Sequence, residues 1–218
     1  ETPLFLQSVS FNQRGILARA VAPVIVVALA VSIYWFNARP AYAGALLLDA
    51  LRAHKAGPSE NLSLFRRAFE LNTFATAEIR EQLAQVTVMS APVSAIPIAV
   101  KQEFLNIAAS EIDKEIKKRP TDARYYTFMG SLLDSFGLYE KGFPYWREAV
   151  KLSPRKQTLL LQLGSNRLNI GNVKEAVSYF KLAHELNTKN HEAIVIYAVG
   201  LIYAGDRAEE KKILALPV

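Results

Sequence analysis

ARYYTFMGSLLDSFGLYEKGFPYWREAVKLSP, residues 123–154, returns in outline 34 residues later. Gly130 is matched by Gly164, Gly137 by Gly171, and Ala149 by Ala183, all at that spacing. A third copy begins at His191, carries Ala198 and Gly205 in the same register, and stops short at Asp206. A 34-residue period is the signature of a helix-turn-helix solenoid, in which no unit buries its apolar face alone and neighbours must stack. Packing explains the residue types. The small residues Gly130, Gly164 and Ala198 are expected to let one helix approach the next, and Trp146 and Phe180 to fill the space beside them. These positions are read first as core.

With Ala123 as the first position, Tyr126, Met129, Gly130, Leu133, Gly142, Trp146, Ala149 and Pro154 fall on the large-apolar, small and proline positions of a tetratricopeptide repeat. Leu160, Leu163, Gly164, Arg167, Ala176, Phe180 and Ala183 follow in the second copy, with Thr188 where proline is expected. The segment resembles that family. The resemblance implies an all-α solenoid with a concave groove lined by the first helix of each pair. Its groove positions map onto Arg124, Thr127, Ser131, Asp134 and Ser135 in the first repeat. In the second they map onto Thr158, Leu161, Ser165, Leu168 and Asn169, and in the third onto Glu192, Val195, Val199, Ile202 and Tyr203. The first set is polar and mixed in sign, the third largely apolar. A protein or peptide partner in the groove is the functional expectation, set against plain solvent exposure or burial under the last helix.

Composition narrows the classes. At 218 residues, 51% hydrophobic and 21% charged, the chain has ample material for a core and is not disordered. It contains no Cys, which removes disulfides, thiolate nucleophiles and Cys-based metal sites. The net charge of +6 is spread among interleaved acidic and basic residues, a solvated helix surface rather than a nucleic-acid footprint. Glu1 stands where an initiating Met is expected, which suggests a processed or partial chain.

Ahead of the repeats, Leu4, Phe5, Leu6, Val9 and Phe11 make an apolar opening segment with no structural signal. Ala20 to Ala38 is then a run of 19 residues without a charge, bounded by Arg19 and Arg39. At about 1.5 Å per residue it nearly crosses a hydrocarbon core of about 30 Å, so a single transmembrane helix is expected over residues 20–38. Tyr34 and Trp35 suit the headgroup region at its C-terminal end, and Pro23 lies in its first turns. Arg14 and Arg19 before the span against Arg39 after it place the N-terminal side in the cytoplasm and the rest of the chain outside. A signal peptide, suggested by Ala41-Tyr42-Ala43, and a buried core helix are the competing readings.

Pro40 starts a new helical text. Ala45 to His54 reads as an amphipathic helix closed by Gly57-Pro58. Ser59 caps a second helix with Leu62, Phe65, Ala68, Phe69 and Leu71 on one face, and a third begins near Thr76. Pro92 and Pro97 mark a linker from about Thr87 to Ile98. Phe104 to Lys118 reads as a helix with Ile107, Ala108, Ile112 and Ile116 inward, stopped by Pro120. That proline lies 34 residues before Pro154, so the helix holds a second-helix slot and is expected to stack on Tyr125 and Tyr126. A short helix from Ala208 to Leu216 caps the array. The organisation read from these signals is an N-terminal segment with its hydrophobic helix (1–39), a degenerate helical repeat region (40–90), a linker and packing helix (91–121), and the repeats with their cap (122–218).

No catalytic centre is legible, and no cofactor or metal is expected. His54, His184 and His191 lack metal-ligand spacing. His184-Glu185 and His191-Glu192 open like H-E-x-x-H, but Thr188 and Val195 stand where the second His is needed. G-x-S-x-G, G-x-G-x-x-G and the P-loop pattern are absent. Carboxylate pairs such as Glu78 with Glu81, or Asp113 with Glu115, read as solvated helix faces.

Several phrases carry a narrower likeness. Tyr34-Trp35-Phe36-Asn37-Ala38-Arg39-Pro40 leads to Phe69-Glu70-Leu71-Asn72-Thr73-Phe74 and Glu78-Ile79-Arg80-Glu81-Gln82-Leu83. Leu152-Ser153-Pro154-Arg155-Lys156-Gln157 and the stretch from Tyr197-Ala198 to Ala204-Gly205-Asp206 come after. Together they resemble the C-terminal portion of bacterial O-antigen ligase or polymerase family membrane proteins that carry an extracytoplasmic repeat domain. The resemblance implies a bacterial inner-membrane location and a link to surface-polysaccharide assembly. It also implies that glycan transfer belongs to a polytopic region with periplasmic Arg and His residues, whereas one span is present in this sequence. The expectation is therefore a membrane-anchored extracytoplasmic scaffold for protein partners. The alternatives are a fragment of such a ligase, or a structural subunit whose residues 20–38 pack against neighbouring subunits rather than lipid. No nucleic-acid partner is expected.

Overall fold

The computed structural model describes residues 11–215, with side chains from Arg19 onward. The expectations that rest on the opening segment, on Arg14 and on Leu216 lie outside the described residues or side chains. The fold is all-α: a tetratricopeptide-like solenoid preceded by one long apolar helix. Two compact units divide the chain at Thr76 and Ala77.

In the first unit, helix α1 (Phe11–Ile33) passes through a π-helical turn (Tyr34–Ala38) directly into α2 (Arg39–Ala50). The break expected at Pro40 is absent. A proline ring collides with the carbonyl four residues back, here that of Phe36, and cannot donate to it. The turn widens instead, and the Arg39 N–H bonds to the Tyr34 carbonyl, five residues back. Pro23 likewise sits well inside α1, not in its first turns, so the Arg19 carbonyl lacks its helical donor. From Val21 to Phe36 the large apolar side chains are exposed. The Arg39 guanidinium stacks on the Trp35 ring at 4.0 Å and also donates to the Leu71 carbonyl.

Helix α2 pairs with α3 (Pro58–Glu70), which starts at Pro58 and ends short of Leu71. Ala43, Leu46 and Ala50 are buried on α2, and Leu62, Phe65 and Ala68 on α3. Helix α2 ends at Ala50 rather than His54. Asn61 reaches back from α3 and donates to the carbonyl of Ala50, the last residue of α2, at 2.7 Å and to that of Arg52 at 2.5 Å.

The second unit is built from α4 (Thr76–Ser90), α5 (Ile98–Lys118), α6 (Ala123–Ser135), α7 (Tyr139–Leu152), α8 (Gln157–Asn169), α9 (Val173–Leu186), α10 (His191–Ala204) and α11 (Arg207–Leu214). From α5 to α11 each helix packs on the next one in sequence, as a one-dimensional array requires. The linker is shorter than its prolines suggest, because α4 continues to Ser90 and α5 begins directly after Pro97. Gly137, Gly171 and Gly205 close α6, α8 and α10 with φ of 71°, 80° and 77°, left-handed conformations in which a side chain would be strained. Part of the 34-residue period is therefore a turn requirement. The rest is contact distance: a Cβ on Gly130 would lie 2.6 Å from the Trp146 ring, and one on Gly164 2.4 Å from Phe180.

One expectation is overturned at α5. Glu115, expected on a solvated face, is 1% exposed, and Glu111 is buried beside it. Both carboxylates face α4, where Arg80 donates to Glu111 at 2.8 Å and to Glu115. Glu111 also pairs with Lys114, and Arg119 lies 3.8 Å from Glu115. Burial alone would raise the Glu111 carboxyl, but the hydrogen bonds and charges of Lys114 and Arg80 outweigh it and hold the group below the ordinary range. Ile107 and Ile116, expected inward, are half-buried at the margin of this face.

Candidate binding groove

Helices α6, α8 and α10 are the first helices of successive repeats, and the 34-residue register gives their mapped residues equivalent positions. Asp122 caps α6 by accepting from the Arg124 N–H at 3.1 Å, and its carboxylate also takes the Arg124 guanidinium at 2.9 Å. Asn190 caps α10 in the same way, accepting from the Glu192 N–H at 2.9 Å. Gln157 ties the start of α8 to that of α10: it donates to the Ala183 carbonyl at 2.7 Å and accepts from Asn190.

Two adjoining clefts open between α6 and α8. One, of about 660 Å³, is lined by Lys118, Arg119, Asp122, Arg124, Thr127, Ser153, Lys156 and Leu159, among others. The second, of about 540 Å³, is lined by Val88, Thr127, Ser131, Asp134, Ser135, Trp146, Lys156, Thr158, Leu159 and Gln162. Thr127, Lys156 and Leu159 border both, so the clefts form one trough. Of the residues mapped from the repeat, Arg124, Thr127, Ser131, Asp134, Ser135 and Thr158 meet in this trough. Ser165, Asn169 and Glu192 lie outside it: Asn169 donates to the Ser165 carbonyl one turn back, and Glu192 is exposed at the start of α10. Leu161 is buried and belongs to the core, not to the groove. Val195, Val199, Ile202 and Tyr203 stand exposed on α10.

Asp134 is less available than its register implies. One carboxylate oxygen accepts from the Trp146 indole N–H at 2.8 Å, and the other from the Asn166 amide at 2.7 Å. Burial pushes its carboxyl up, against the pull of those two donors and of Arg167. Asn166 is itself buried and donates to the Tyr139 carbonyl at 2.9 Å, while its own oxygen accepts from Arg167. Arg167, at a position expected to be apolar, is buried with its guanidinium 3.6 Å from the Phe143 ring centroid. Asp134, Trp146, Asn166 and Arg167 thus form a connected polar network beside the trough, whose lining also offers the hydroxyls of Thr127, Ser131, Ser135 and Thr158 and the amide of Gln162.

Lys118, Lys156 and Gln162 fall outside the positions the repeat resemblance assigns to the groove: Lys118 ends α5, a second helix, Lys156 stands in the turn before α8, and Gln162 lies between the mapped positions of α8. One signal was present: Lys156 stands at the slot held by Asp122 and Asn190, and leaves α8 without a side-chain cap. Among the described residues no group of three or more His, Asp and Glu side chains is arranged to hold a metal ion.

This architecture is that of a tetratricopeptide-like helical repeat, and solved structures agree. The chain is similar to YrrB, described as a tetratricopeptide repeat protein with an unusual peptide-binding site, at 20% identity over 72% of this chain and 74% of that one, with a TM-score of 0.51. It is also similar to a MamA RS-1 double mutant at 15% identity over 81% and 90%, with a TM-score of 0.58. MamA from Desulfovibrio magneticus RS-1 gives 16% identity over 79% and 90%, with a TM-score of 0.53. At these identities the likeness is one of fold. No family model matches the chain, and no curated protein matches it in sequence.

Proposed function

We propose that the chain is a membrane-anchored scaffold that holds a segment of a partner protein in the trough between α6 and α8. The observation that carries this reading is the meeting of Arg124, Thr127, Ser131, Asp134, Ser135 and Thr158 around one trough, on a stacked array that keeps its shape through nearest-neighbour packing. The peptide-binding site named for YrrB supports a peptide as occupant. The anchor is supported by the exposed large apolar side chains between Val21 and Phe36, and by Tyr34, Trp35 and Arg39 where that run ends. The repeats then lie on the extracytoplasmic side of a bacterial inner membrane. The phrases shared with O-antigen ligase and polymerase proteins support a place beside surface-polysaccharide assembly.

A photo-crosslinking residue at Thr158 in the full chain, exposed to a pool of random peptides, tests the groove. The expected result is adduct formation at Thr158 and little at Ser178, an exposed position on α9 outside the trough. Equal labelling at both positions sinks the reading.

A further inference from the structure

The trough and the exposed row on α10 differ in chemistry, and the difference describes the occupant. At the α6 end, Asp122 and Glu81 neutralise Arg124, with N–O distances of 2.9 and 3.6 Å. Arg119 is turned toward Glu115 and donates to the Tyr125 hydroxyl at 2.7 Å. Lys118 and Lys156 also line this cleft, and among the described residues neither has an ion-pair partner. The cationic excess of the cleft therefore sits on these two ammonium groups. At the α10 end, Val195, Val199 and Ile202 are 40%, 39% and 40% exposed and Tyr203 is 66% exposed. Their spacing of four, three and one residues puts them on one helix face, while Ala193, Ile194, Tyr197 and Leu201 of the same helix are buried in the core.

We infer that the occupant is a protein segment with carboxylates at one end, taken by Lys118 and Lys156, and apolar side chains at the other, seated on Val195, Val199 and Tyr203. This rests on reading the trough as a peptide site. Val195, Val199 and Tyr203 hold the register positions of Thr127, Ser131 and Ser135 two repeats on, and with α8 between them at a packed-helix spacing of roughly 10 Å or more, α6 and α10 lie at least roughly 20 Å apart. An extended chain rising about 3.3 Å per residue covers that in roughly six residues. The ligand therefore carries its acidic and apolar groups about that far apart, and a ligand with basic residues in the acidic place is rejected by like charge.

The test uses the full chain and three short fluorescein-labelled peptides. The first carries two glutamates and, roughly six residues on, Leu-Phe. The second has lysines for the glutamates, and the third has serines for Leu-Phe. The first is expected to bind about three- to tenfold more tightly than either of the others, with the preference over the lysine peptide shrinking as salt is raised. Lys118→Glu with Lys156→Glu should invert the order of the first two peptides, a result that misfolding cannot produce. Val199→Ser should abolish the advantage of the first peptide over the third. If the double charge variant leaves the order unchanged, or all three peptides bind alike while the random pool still labels Thr158, the inference is overturned and the groove reading stands. If no peptide binds and none labels Thr158, both fall.

Discussion

Trp146 and Phe180 occupy the same position in successive repeats, yet only the indole carries an N–H that must find an acceptor when buried. The first repeat supplies Asp134 and the second has Leu168 at the matching place. The aromatic and its partner thus change together. Trp146→Phe should cost about 1–3 kcal/mol, because Asp134 loses one of its two donors. Asp134→Leu should cost a similar amount by orphaning the indole. Made together, the two changes copy the pairing of the second repeat and should cost about 1–2 kcal/mol less than the sum, measured by denaturant unfolding. Strict additivity would show that the pair is not coupled. The same carboxylate gives a signed pH effect. The folded state holds the Asp134 proton more tightly than the unfolded chain does, so its contribution is present below the ordinary aspartate range and lost as pH rises through the raised value. Glu111 has the opposite sign: its contribution is present above the ordinary glutamate value of 4.5 and lost as pH falls through the depressed one. Unfolding free energies followed between about pH 3 and 7 should therefore fall less steeply on acidification in Glu111→Gln, and more steeply in Asp134→Asn.

At the scale of elements, helix contacts decide which small residues are replaceable. Gly164→Ala places a methyl 2.4 Å from Phe180 and should destabilise by about 1–3 kcal/mol, whereas Gly44 in α2 has nothing within 4 Å of an added Cβ. Gly44→Ala should therefore stabilise by about 0.5–1 kcal/mol, the ordinary gain in a helix interior. A comparison of thermal midpoints separates the two, and equal shifts would refute the contact argument. Between α4 and α5, Arg80→Met strips Glu115 of its principal donor while the carboxylate stays buried, and should cost about 3–5 kcal/mol. The helices from α6 to α10 were legible because their glycines are fixed by turn conformation and ring contact, two constraints that repeat with the period. The α4–α5 pairing was not. Its two glutamates sit one helical turn apart, the pattern of a solvated face, and the arginine that buries them lies 31 and 35 residues away. Pro40 misled for a related reason, since the clash it creates is absorbed by the π turn instead of ending the helix. Within the groove, the polar positions on α6 followed from register, but Lys118 ends α5, a second helix, and Lys156 stands in the turn before α8, where a map of first-helix positions has no places.

For the whole molecule the open question is what covers the apolar run of α1, and the two tryptophans answer it. Trp35 is 55% exposed at the end of that run, and Trp146 is 1% exposed in the repeat core. In a bilayer the Trp35 ring would lie near the headgroups, with the Arg39 guanidinium stacked on it and reaching toward the polar side. Lipids brominated along their acyl chains quench indole fluorescence only at contact. Reconstituted full-length chain should therefore lose the part of its emission that comes from Trp35 and keep that of Trp146. Trp35→Phe should emit identically in brominated and ordinary lipid, and Trp146→Phe should be quenched, most strongly by lipids brominated at the headgroup end of their acyl chains. These outcomes separate a lipid anchor from a helix packed into neighbouring subunits. In such an assembly Trp35 is shielded by protein, and neither variant responds to bromine.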